Sequence, residues 1–166
     1  STDDCAWEAL NYAAADVTKK MDIHVAGNSV SSSLLPMLDS HVDAQPDSAI
    51  IGTETVQAIR LDDVLPSRLK GEKQWFLKAD TQGYEMQVLQ GAEGCLDSIA
   101  LLELELSLVP LYADQLLLSD MIKQVERQGF TPIWIEQGFF GVDSHRLLQV
   151  DVVFVRSEYL KDENVT

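Results

Sequence analysis

The clearest alternation of apolar and polar positions begins at Gln74. Gln74 to Ala79 (QWFLKA) predicts a strand, Asp80 to Gly83 a tight turn, and Tyr84 to about Gln90 a helix. In that helix Tyr84, Val88, Leu89 and Ala92 recur at near-helical spacing, and Gly91 or Gly94 gives it a place to stop. Ile99 to Leu106 (IALLELEL) is apolar in its first half and alternates Leu with Glu in its second, as suits a strand running from a buried centre to a wetter end. A helix is predicted from about Asp114 to Gln128, with Gly129 at the position after its end where a left-handed backbone is cheap. Strands are expected at Thr131 to Glu136 and Val150 to Val155, so the order from Gln74 is β-α-β-α-β-β. Short connections in that order predict an α/β fold: a mostly parallel, Rossmann-like sheet ending in an antiparallel strand pair.

The first 70 residues are less regular. Met21 to Val25 (MDIHV) alternates and is bounded by Gly27 and Asn28, which predicts a short strand; Thr55 to Arg60 alternates too, and LDDVLP starts a helical turn at Leu61 or Asp62. Ala6 to Val17 has helical propensity without a clean apolar stripe. The chain reads as one unit over residues 1–157 with a charged tail at 158–166.

Composition narrows the chemistry. Of the 166 residues 46% are hydrophobic, enough for a sizeable core. Twelve basic against 27 acidic side chains give a formal charge of −15, which disfavours nucleic acid and anionic membranes because both draw affinity from cations. The acidity reads as the solubility of a cytoplasmic protein. Cys5 and Cys95 are far apart, and His24, His41 and His145 are scattered singly, each read as a surface or packing residue, so neither a disulfide scaffold nor a metal centre is expected. No apolar run reaches the length of a spanning helix.

LDDVLP, WFLKADTQGYEMQVLQGAEGCL, LELELSLVPLY and LLQVDVVFVR, in that order, resemble the FkbM family of S-adenosylmethionine-dependent methyltransferases. The family's strand ending in Lys-x-Asp-Val-Glu-Gly-x-Glu and its helix Val-Leu-x-Gly-Ala are matched at Lys78, Asp80, Gly83, Glu85, Val88, Leu89, Gly91 and Ala92, with Thr81 and Gln82 replacing the commoner Val and Glu. The resemblance covers about residues 6–156 and moves Ala6 to Ala14 from helix to strand. It implies methyl transfer to a hydroxyl of a small-molecule acceptor, such as a sugar. The family's glycine-rich first turn and the acidic end of its second strand are missing, so the chain reads as the domain without its first two strand-helix units. The alternative is a non-catalytic remnant or association module that binds no cofactor.

The resemblance implies S-adenosylmethionine contacts at Asp16 and Asp80, and catalytic roles for Asp80 and Glu105. Asp80 stands where a parallel strand meets the ligand-side rim, although an N-cap is its plain alternative. Glu105 is the candidate for orienting or deprotonating the acceptor hydroxyl; Glu103, on the same face, reads as structural. Ser32 and Gln82 are the candidate substrate contacts, though serines ahead of LLP also cap turns. Glu85 reads equally as a favourable charge in the helix's first turn, and Asp151 as structural. Trp7, Trp75 and Trp134 read as core or edge packing. In the family's strand order the strand at Gln74 to Ala79 becomes an open edge, to be covered by Ala6 to Ala14 or by a second copy in a homodimer.

Overall fold

The structure is a computed structural model that describes residues 8–69, 74–141 and 144–160. Cys5, Ala6, Trp7 and the end of the charged tail lie outside the described residues. In chain order the elements are β1 (Ala13–Ala14), β2 (Lys19–Ala26), α1 (Asp39–Ala44), β3 (Ile50–Ile59), α2 (Leu61–Leu69), β4 (Trp75–Ala79), α3 (Glu85–Gln90), β5 (Ile99–Ser107), α4 (Leu118–Arg127), β6 (Phe130–Gln137), β7 (Phe140–Gly141), β8 (Arg146–Leu147) and β9 (Gln149–Arg156). They build a four-stranded sheet ordered β4-β5-β9-β6, a three-stranded sheet ordered β1-β3-β2, and a small β7-β8 hairpin.

The expectation of a mostly parallel sheet fails. Only β4 with β5 and β1 with β3 run parallel; β2 with β3, β5 with β9, β6 with β9 and β7 with β8 are antiparallel. A parallel pair needs a crossover, and the α3 segment supplies one between β4 and β5. β9 instead inserts between β5 and β6 and runs against both, so the expected final antiparallel pair extends over the far half of the sheet.

Alternation in β5 has the anticipated cause. Leu102, Leu104 and Leu106 are buried on one face, opposite Val152 and Phe154 of β9 and beneath Val88, Leu89, Met121 and Val125 of the helices. Each leucine so buried contributes about 2 kcal/mol. The register puts Phe76, Glu103, Val153 and Trp134 on the other face, where Phe76 and Trp134 remain 54% and 63% exposed. Trp75 is exposed as well, so neither described tryptophan is a core residue.

Two boundaries differ from the sequence reading. α4 starts at Leu118 rather than Asp114 because Asp114 is left-handed (φ 59°) and the Gln115 carboxamide oxygen accepts the Leu111 and Tyr112 amides, which holds that stretch as a loop. Gly129 follows the helix with φ 85°, as anticipated. Within residues 8–14, only Ala13–Ala14 forms a strand, and it pairs with β3 instead of covering β4. β4 therefore keeps β5 as its one partner among the described residues.

The two sheets share one core because the β1 end passes directly over the α3 end. Ala15 and Ala58 are fully buried in the same cluster as Leu89 and Leu104. Arg60 ties the junction by donating to Asp16 O (2.7 Å), Gln90 O (2.9 Å) and the Asp62 carboxylate (2.9 Å). Among the described residues no helix is long and apolar enough to cross a membrane.

Candidate active site

The turn leaving β4 is shaped by its own sequence. Gln82 (φ 56°) and Gly83 (φ 93°) are both left-handed, and the buried Glu85 carboxylate stabilises that shape by accepting the Thr81 amide (2.9 Å), the Thr81 hydroxyl (3.1 Å) and the Gly83 amide (3.2 Å). Burial pushes the Glu85 carboxyl up from its ordinary pKa. Glu85 thus works as a clamp on the turn, and Gln82 adopts a backbone that a non-glycine residue rarely takes.

That strained backbone sends the Gln82 side chain between two acids. Its amide nitrogen donates to Asp80 (2.8 Å) and to Glu105 (2.7 Å), using both protons, while its carbonyl oxygen accepts from the Tyr112 hydroxyl (2.8 Å). The orientation of the amide follows: carboxylates need the nitrogen end and the phenol meets the oxygen end. Ser33 donates to Gln82 O (2.8 Å), and Gln149 donates a second amide hydrogen to Glu105 (2.8 Å). Tyr112 also lies within 2.9 Å of Ser31 O, which joins the loop after β2 to this group.

Glu105 is pushed up to about 8. Burial is the main cause; the negative charges of Asp80, Glu85 and Asp151 add to it, and the protonated acid can donate to Asp80. Glu105 therefore holds its proton at neutral pH and releases it near the top of the physiological range. Burial also raises the Tyr112 phenol, keeping it a neutral donor. Lys78 is engaged with Glu103 in an ion pair, the structural role expected of Glu103.

These groups open into a cavity of about 330 Å³ at the C-terminal ends of β4 and β5, a size within the usual range for small-molecule sites. Asp80, Gln82 and Glu105 line it together, with His41 of α1, Phe139 and Gln149. A second cavity of about 250 Å³ lies on another side of Asp80, walled by Tyr12, Ile23, Ser32 and Tyr84. Asp80 borders both. A roomier depression, about 660 Å³ beside Ser40 and Arg146, includes none of these acids.

The sequence candidates are thus partly brought together. Asp80, Gln82 and Glu105 converge. Ser32 lines the second cavity, and its hydroxyl is engaged in the loop, donating to Ser29 O (2.8 Å) and accepting the Ala26 amide (3.1 Å). Asp16 lines neither cavity; it accepts from the Tyr84 hydroxyl at 3.3 Å, and Tyr84 borders the second one. Asp151 is the register partner of Glu105 across β5 and β9. Sequence reasoning missed His41, Tyr112 and Gln149 as site residues. Tyr112 closes the quoted LSLVPLY run, and Gln149 stands two residues ahead of Asp151; His41 had no local signal.

The family model described as the methyltransferase FkbM domain matches residues 3–132. No curated protein and no solved structure matches the chain.

Proposed function

The chain belongs to the FkbM methyltransferase family, and from that premise we propose that the 330 Å³ cavity receives a small hydroxyl-bearing acceptor, such as a sugar, whose oxygen is methylated from S-adenosylmethionine. The observation that carries this reading is the Asp80–Gln82–Glu105 bridge, with Glu105 titrating near 8. An alcohol is a weak nucleophile, so its proton must leave as the carbon–oxygen bond forms. Glu105 in its ionised form accepts that proton, while the Gln82 and Gln149 amides hold its Oε2 edge fixed. Asp80 and Gln82 orient the hydroxyl beside it.

The methyl donor, when bound, supplies an electrophilic methyl on a cationic sulfur. The side chains around Asp80 fit such a cation: acids face the cavity and no lysine or arginine among the described residues lines it. Asp80 is the residue proposed to face that centre, and Asp16, reached through Tyr84, the second proposed contact. A cradle for the nucleoside is absent among the described residues: Gly83, the left-handed glycine of the turn, has its open side against Tyr112 and Gln115, and the second cavity is smaller than the roughly 300 Å³ at which small-molecule sites begin.

That gap, together with the open β4 edge and exposed Trp75 and Phe76, supports a second reading, a non-catalytic association module in which two copies pair β4 to β4. Transfer of labelled methyl from S-adenosylmethionine to a panel of neutral alcohols and sugars separates the two. Catalysis predicts transfer that falls by roughly 100-fold or more in E105Q. A wild-type chain giving neither transfer nor calorimetric heat with S-adenosylmethionine leaves the association reading, and transfer unchanged in E105Q removes Glu105 from the mechanism.

A further inference from the structure

His41 lines the same cavity from α1 and is only 2% exposed. Its Nδ1 lies 2.9 Å from Ser48 Oγ, and that hydroxyl directs its own proton to Gln45 O at 2.6 Å. Ser48 Oγ is then an acceptor toward the ring, so the shared proton sits on Nδ1. Nε2 consequently carries a lone pair, and no described residue donates to it. The ring is packed edge-on against Tyr112 (centroids 5.2 Å apart) and tilted against Phe139 (5.4 Å), and this burial holds its pKa below the ordinary value and the imidazole neutral.

The remaining lining has a matching character. Three carboxamides, Asn28, Gln45 and Gln149, offer both donors and acceptors, and Asp80 and Glu105 supply acceptors. With no lysine or arginine among the described lining residues, a phosphate or carboxylate here would add its charge beside Asp80 and Glu105 with nothing to offset the repulsion. Hydroxyl groups meet none of that difficulty: they donate to His41 or the acids and accept from the amides. The Phe139 ring adds an apolar wall suited to the C–H face of a ring.

We propose that His41 is a specificity-determining residue which, through Nε2, accepts a hydrogen bond from a second hydroxyl of the acceptor, so that the cavity selects a neutral polyhydroxylated ring over a phosphorylated or carboxylated one. This role rests on the acceptor reading of the cavity but not on Glu105 being the base.

Long-range proton–nitrogen NMR of the full chain, labelled with nitrogen-15, reads the ring directly; H41Q assigns its signals among the three histidines. The expected spectrum has Nδ1 protonated and Nε2 bare. Titration with methyl α-D-glucopyranoside moves Nε2 toward its hydrogen-bonded position, whereas glucose 6-phosphate and glucuronate leave it in place. H41F weakens glucoside affinity roughly tenfold, and H41Q, which keeps a carbonyl acceptor, weakens it less. Ser48→Ala mixes the two tautomers without removing the ring. An Nε2-protonated ring, an Nε2 silent to the glucoside, or an equal response to glucose 6-phosphate would overturn the role of His41. If E105Q retains methyl transfer while Nε2 still answers to the glucoside, only the Glu105 assignment fails.

Discussion

Gly91→Ala tests whether the β1 end is clamped onto α3. Gly91 has an ordinary helical φ of −71°, so in an open position the change to alanine would add stability, by up to about 1 kcal/mol, through reduced freedom of the unfolded chain. Here the added Cβ would fall 1.9 Å from Ala15 O and 2.9 Å from Ala15 C, both backbone atoms. No rotamer relieves that contact; the β1 end must separate from α3. Separation strains the Ala15 amide bond to Ile59 O (2.9 Å) and the Arg60 bond to Asp16 O (2.7 Å). An overpacking cost of about 1–3 kcal/mol plus about 1 kcal/mol for a weakened hydrogen bond, less the helical gain of up to about 1 kcal/mol, predicts a net loss of about 1–3 kcal/mol. Urea unfolding with the slope held in view measures it. Gly52→Ala is the matched control, since nothing lies within 4 Å of its added Cβ, and it should be neutral or slightly stabilising. A Gly91→Ala chain as stable as the wild type, with an unchanged slope, would refute the close passage of β1 over α3.

Other expectations follow from the same geometry. Because Glu105 keeps its proton up to about 8 in the folded chain but loses it near 4.5 when unfolded, the native state binds more protons in that window; its contribution is fully present below 4.5 and is lost as pH rises toward 8. Urea midpoints across the window should show that decline flattened in E105Q, and an unaltered pH profile in the variant would contradict it. Gly83→Ala forces a side chain onto φ 93° and sets its Cβ 3.2 Å from Tyr112 and Gln115, so a loss of about 1–3 kcal/mol is expected in thermal unfolding; a neutral result would mean the turn is looser than described. Phe76→Lys should abolish self-association by β4 pairing in sedimentation experiments, and dimerisation unaffected by it would place the contact elsewhere.

Much of the second half of the fold was legible because its signals are local. The Leu–Glu alternation of β5 declares which face is buried, and Lys78 to Ala92 carries its turn and helix in consecutive residues. The direction of β9 was harder to read: a strand's sequence reveals its buried face but not which neighbours it slips between, and here it separates β5 from β6. β1 was misplaced because its two alanines carry little signal and its pairing with β3 spans 45 residues. At the site, Asp80, Gln82 and Glu105 could be found because the family resemblance falls on a strand end and an alternating strand. His41 could not, because the short helix holding it is mostly polar and its burial is created by Tyr112 and Phe139, 71 and 98 residues onward.

The proton held on Glu105 is the centre of the account, and carbon-13 titration of the side-chain carboxyls reads it most directly, with E105Q assigning the signal. The prediction is a Glu105 midpoint near 8 that falls when Asp80→Asn removes the neighbouring charge. A Glu105 carboxyl titrating near 4.5, indifferent to Asp80, would contradict it.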